Sequence, residues 1–178
     1  MSGILYGLGL GPGDPELVTI KAADILRDVP VIVYVTPVRG GKSTTSFARS
    51  IAAPHLIGEK TEISIPIVML DDPIPGRRVY DEVSKEILGY LESGRDVAVL
   101  CEGDPLLYGS FMYVLERLKD DHTVITVPGV SSLSAAAAAA NLPLVTRHQS
   151  LAIIPATLSE DEIKARLLVA DGAAILKI

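Results

Sequence analysis

The chain holds one cysteine, no tryptophan and only 4% aromatic residues among its 178. A lone Cys101 excludes both an internal disulfide framework and a cysteine-rich zinc module, and it points to a reducing compartment. Long apolar runs are missing too. No stretch approaches the ~18 consecutive apolar residues of a spanning helix, and Met1-Ser2-Gly3 leads into a strand with no charged leader, so a cytoplasmic, unprocessed chain without a membrane is expected. Basic residues are in deficit, 16 against 22 acidic, for a net charge of -6. A general nucleic-acid binder needs a basic face for the phosphates, which sets that class aside and leaves only a local anion site open. What the chain does have is apolar residues, 48% of the total, enough to bury a full core and to exclude a disordered tail.

Apolar runs of strand length alternate with longer segments of helical period, the pattern of βαβ units around a mainly parallel sheet, so the class is α/β. Strands are expected over 4–10, 31–35, 63–68, 97–101 and 124–127. Pro15-Glu16 should open a helix with Leu17, Ile20, Ala23, Ile25 and Leu26 on its apolar face. Further helices are expected over 43–53, 79–91, 108–118 and 131–140. The stretch Asn141 to Gln149 has a proline, polar residues and no periodicity, so a domain boundary is placed at 142/143, giving 1–142 and 143–178. Beyond it come a strand over 151–155, a helix capped by Ser159 with Glu162 and facing inward through Ile163, Leu167 and Leu168, and a strand over 173–178. Two strands and a helix bury their own faces poorly, so this second α/β domain is expected to be incomplete.

Chemistry should sit where strands end. The run Gly7-Leu8-Gly9-Leu10-Gly11-Pro12-Gly13-Asp14-Pro15 invites a nucleotide reading, but the dinucleotide fingerprint needs a third glycine at position 12 or 14, which are Pro12 and Asp14. Gly41-Lys42-Ser43 resembles the end of a phosphate loop, yet the template's first glycine falls on Thr36. A flexible basic loop is the better reading there, with an NTPase as a distant alternative. Cys101-Glu102-Gly103-Asp104-Pro105-Leu106-Leu107-Tyr108-Gly109 leaves the carboxyl end of a central strand, where open α/β sheets place ligands. Asp104 could instead be a helix N-cap. Pro128-Gly129-Val130-Ser131-Ser132 closes the next strand, with a serine that caps the alanine-rich helix or donates to a ligand.

Together these segments resemble the tetrapyrrole methylase family, through G-x-G-P-G-D-P-E-L-x-T (Gly9 to Thr19), G-D-P-x-x-Y-G (Gly103 to Gly109) and P-G-x-S-S (Pro128 to Ser132). The resemblance implies two α/β domains, S-adenosylmethionine held in the cleft between them, and a homodimer, for which the apolar content leaves interface surface. Ser46 to Ala52 and Cys101 to Pro105, continuing to Ser110 through Tyr113, most resemble the branch that methylates carbon 20 of precorrin-2, or its cobalt-containing counterpart, in cobalamin synthesis. Another ring position, or a diphthine or ribosomal RNA substrate, is the alternative within the family.

The resemblance also implies roles. Pro12 would pack near the cofactor, Gly103 and Asp104 would contact its amino-acid and ribose portions, Leu107 would line the adenosine pocket, and Ser131 and Ser132 would bond its polar edge. No resident metal is expected, because the sulfonium carries its own leaving group and the protein has only to align it with the accepting carbon. Asp104 and Tyr108 are the candidates for taking the proton lost on methylation, with Asp14 third. A substrate rich in carboxylates needs a basic rim on an acidic protein, and Arg39, Lys42, Arg49 and Arg147 are the candidates, with Asp14 also counted among the substrate-binding residues.

Overall fold

Five strands rich in Val, Ile and Leu lie parallel in the order β4-β2-β5-β1-β6: β1 (Leu5–Gly9), β2 (Val31–Arg39), β4 (Thr61–Val68), β5 (Val97–Cys101) and β6 (Val124–Val127). The short β3 (Lys42–Ser43) folds back antiparallel on the end of β2. The computed structural model describes residues 2–68 and 74–177. These fall into two compact units that meet in sequence at Ser131 and Ser132.

In the first unit the side-chain alternation of the strands supplies two cores, one on each face of the sheet. Leu5, Val31, Val33, Ile63, Ile65, Val97 and Val99 face α3 (Ile74–Glu92) and α4 (Phe111–Leu118), which contribute Tyr80, Val83, Ile87, Leu91, Phe111 and Val114. Leu8, Ile32, Ala98 and Leu100 face α1 (Ile20–Asp28) and α2 (Phe47–Ala52), which contribute Ala22, Leu26, Ala48, Ile51 and Ala52. Each fully buried Leu or Ile in such a core contributes about 1.5–3 kcal/mol. Pro66 lacks a ladder donor and sits in β4, whose described partner is β2 alone, the edge position where a strand proline costs least.

Four expectations differ from the structure in this unit. Pro15–Leu17 is a separate 3-10 turn capped by Asp14, and the α-helix starts only at Ile20, where the Thr19 hydroxyl accepts from Ala22 N. That start turns Ala22 inward together with the expected Leu26, with Ile25 packed beside them, and leaves Leu17 38% and Ile20 83% exposed, so the first part of the expected face is the part that fails. The helix expected from Tyr108 begins at Phe111, because Tyr108 has φ 55, in the left-handed region that no α-helix admits. The helix expected over 43–53 starts at Phe47, behind the Ser46 cap. β2 also runs beyond its expected end at Val35. Its pairing with β5 stops at Tyr34 and Leu100, whereas its pairing with β4 continues to Val38 and Val68. The β2–β3 hairpin therefore extends past the carboxyl end of β5.

The second unit contains α5 (Ser132–Ala140) and a parallel βαβ turn: β7 (Leu151–Pro155), α6 (Glu160–Leu167) and β8 (Gly172–Leu176). The capping box at Ser159 and Glu162 is present. Of the inward face expected of α6, Ile163 is half-buried while Leu167 is 41% and Leu168 86% exposed, since a two-stranded sheet offers too little apolar surface to cover them. The sequence reading places its boundary after α5, whereas the two units divide before that helix, none of whose side chains is buried.

Candidate functional site

At the carboxyl end of the first unit's sheet, three strand exits close on one another through the main chain. Leu10 N donates to Cys101 O (2.9 Å), Gly11 N donates to Gly103 O (3.3 Å), and Gly103 N donates to Gly11 O (2.7 Å), which stitches the loop after β1 to the loop after β5. The loop after β6 presses on both. A Cβ on Gly129 would overlap the Gly103 carbonyl oxygen, and one on Gly9 would lie 2.8 Å from that same oxygen, so only residues without side chains allow this approach.

Asp104 fixes the arrangement. Its Oδ1 accepts from Leu106 N (2.9 Å) and its Oδ2 from Gly129 N (3.1 Å), so one carboxylate holds its own turn and ties it to the β6 exit. Asp104 is not a helix cap, since α4 begins seven positions later. Gly103 stands beside it with φ +63, and the direction a Cβ would take meets nothing within 4 Å. The result is a shelf of backbone with an open cradle in front. Leu107 is half-buried and Tyr108 39% exposed on the same loop, and Pro12 is half-buried on the β1 loop. Ser131, half-buried, is the last residue of the first unit, while Ser132 and Arg147 are exposed in the second.

Asp14 is occupied as a cap, its Oδ1 accepting from Glu16 N at 2.9 Å. Arg49 is occupied too. Its Nε and Nη2 donate to the two oxygens of Glu62 at 2.9 Å each, and Tyr34 donates its hydroxyl to Glu62 Oε2 at 2.8 Å. Bonds from Arg49 hold the Glu62 carboxyl below its ordinary range, the guanidinium is stabilised in return, and burial followed by the bond to Glu62 raises Tyr34. Lys42 is exposed at the tip of the β2–β3 hairpin; the Arg39 side chain lies outside the described residues. Burial pushes the Cys101 thiol up to about 12, which keeps it protonated and inert at neutral pH although it ends the strand that carries the loop. Sequence reasoning missed Glu62. Its signal is the alternation in β4, where Ile63 and Ile65 point inward and Glu62 and Ser64 share the other face.

Residues 4–178 match the family described as Tetrapyrrole (Corrin/Porphyrin) Methylases. The cobalamin biosynthesis protein CobIJ of Mycobacterium bovis is 40% identical over 184 residues, covering 99% of this chain, which spans only 35% of that protein's length. A precorrin-2 C(20)-methyltransferase of a Sinorhizobium species is 33% identical over all of this chain and 76% of its own. Among solved structures, the uroporphyrin-III C-methyl transferase of Thermus thermophilus complexed with S-adenyl homocysteine superposes with a TM-score of 0.59 at 27% identity, covering 88% of this chain and 57% of that one.

Proposed function

Because the chain belongs to the tetrapyrrole methylase family, we propose that it takes part in S-adenosylmethionine-dependent methylation of carbon 20 of precorrin-2, or of the cobalt-containing counterpart, in cobalamin biosynthesis. The observation that carries the reading is the cradle at Gly103. Open space faces a main chain whose shape is set by the Gly11–Gly103 bridge and the two bonds to Asp104. A cofactor with an amino-acid end and a ribose fits such a shelf, because carbonyls and amides can meet it without side chains intervening.

S-adenosylmethionine, when bound, supplies a methyl group on a sulfonium that leaves as a neutral thioether. The chain's own residues then have to orient it and keep water away from the line of transfer. We assign Gly103 and Pro12 to the approach to the cofactor, Leu107 to the apolar wall beside its adenine, and Ser131 and Ser132 to polar contacts. Asp104 we assign to holding the loop. Tyr108 we assign to relaying the proton lost from carbon 20 to solvent water, its hydroxyl oxygen accepting that proton as its own passes outward. For the substrate carboxylates, exposed Lys42 with Arg39 and Arg147 are the proposed rim. Arg49 reaches them only by giving up Glu62, and Asp14 contributes as a cap of the loop. We further propose a homodimer, supported by Ile20 and Ile57 standing 83% and 61% exposed, acting in the cytoplasm. No helix among the described residues is long and apolar enough to cross a membrane.

The test is transfer of a labelled methyl from S-adenosylmethionine to precorrin-2 and to its cobalt complex, with the position of the new methyl read by NMR. A methyl on carbon 20 is expected. Label on another carbon, or calorimetry showing no binding of S-adenosylhomocysteine, would overturn the assignment.

A further inference from the structure

The chain has two phenylalanines, and they have opposite fates. Phe111 is fully buried, whereas Phe47, the first residue of α2, is 52% exposed. α2 spends Ala48, Ile51 and Ala52 on the core and needs nothing from Phe47. The ring lies instead against the glycine loop: a Cβ on Gly13 would sit 3.0 Å from its Cζ. On the Gly11 side of Pro12 stands Leu17, 38% exposed, whose Cβ would be 3.4 Å from a Cβ on Gly11. Two large apolar side chains thus flank the Gly11-Pro12-Gly13 turn at the end of the sheet where the cradle opens. Lys42 stands exposed in the hairpin that precedes α2.

An exposed aromatic face on a helix that follows a hairpin carrying a cation is a poor surface for water and a good one for an apolar ring that carries carboxylates. We propose that Phe47 is a substrate-recognition residue, on whose ring a pyrrole unit of the tetrapyrrole rests, with Leu17 extending the apolar rim and Lys42 meeting a peripheral carboxylate. The proposal rests on the reading of the substrate given above. It assigns Phe47 to the tetrapyrrole and not to the cofactor, because an exposed ring that follows a basic hairpin in the chain suits an apolar macrocycle carrying carboxylates.

The experiment is an anaerobic titration of the full chain with precorrin-2, followed by the ligand's own absorbance, and a separate calorimetric titration with S-adenosylhomocysteine. Phe47→Ala should weaken precorrin-2 by about five- to tenfold, the effect of removing one stacked aromatic contact, and leave S-adenosylhomocysteine within about twofold. Phe47→Trp should restore the affinity and, as the only tryptophan in the chain, report binding through its quenched emission. Unchanged precorrin-2 affinity in Phe47→Ala overturns the proposal, and so does an equal loss of both ligands. A change of molecular mass in light scattering would make the ring an interface between copies and overturn it as well. Wild-type chain that binds S-adenosylhomocysteine but no precorrin-2 would sink the substrate reading itself, an outcome distinct from the others.

Discussion

The two units show what a parallel sheet needs in order to hold a binding loop still. The first unit covers both faces of its sheet with helices and buries apolar side chains from every one of its long strands. In the second, Ile154 is the one apolar side chain that is fully buried among the described residues, and the helix between its two strands leaves its leucines to solvent. Both have the same βαβ logic and good local signals, down to a complete capping box at Ser159. Local signals make the elements; the number of strands sharing a face decides whether those elements have a core. The glycine loops of the candidate site stand on the unit that has one.

The sharpest test of that contrast is Phe111→Ala. Its ring is fully buried in the first unit, and the cavity left behind should cost about 3–5 kcal/mol in urea unfolding. A loss below about 1 kcal/mol would mean that the first unit is packed no better than the second. Next comes Asp104→Ala, which strips two backbone donors of their acceptor and should cost about 1–3 kcal/mol while weakening S-adenosylhomocysteine. If Asp104→Asn instead abolished turnover while stability and cofactor affinity held, Asp104 would be the proton acceptor and not the tie between loops.

Smaller effects are expected at the half-exposed ion pair. Glu62→Gln should cost about 0.2–1 kcal/mol at neutral pH and low salt. The Glu62 carboxyl is depressed below 4.5 in the folded chain, so its contribution is present above that value and disappears as pH falls through the depressed one. The gap between wild type and variant should therefore close in acid, and added salt should narrow it at any pH. A gap that widened in acid would reverse the assigned sign. Smallest of all is Leu168→Ala: at 86% exposure it should change stability by no more than about 0.5 kcal/mol. A large loss there would show that the second unit buries this side chain in solution.

Much of the architecture was legible in the sequence for a simple reason. β5 is Val97-Ala98-Val99-Leu100-Cys101, buried on both faces, and a run so apolar between a glycine turn and a glycine loop has few other uses. The strand-exit motifs were legible because glycines and an aspartate cluster where backbone must approach backbone. What stayed hidden depended on partners distant in sequence. The phase of α1 was set by Thr19 and not by the more conspicuous Pro15. Val35 read as the end of β2, but the strand runs on because β4 keeps pairing with it to Val38 after β5 has stopped. Arg49 read as a free cation until the sheet order brought Glu62 beside it. Likewise, the two serines and Arg147 could be named as site candidates without their sequence revealing that the division of the units runs between Ser131 and Ser132.

The three glycines that meet at the strand exits make the inner part of the site a property of the main chain. Carbonyls and amides are the same whatever the side chains around them, so this shelf presents one chemical surface to whatever lies in front of it. In the hairpin beyond β5 and the first turn of α2 the reverse holds at Lys42 and Phe47, which present exposed side chains in place of main chain. The fold thus separates a fixed half from an adjustable half within a single sheet edge. A protein designer wishing to change what this edge recognises would rewrite exposed side chains such as Lys42 and Phe47 and leave positions 9, 103 and 129 alone.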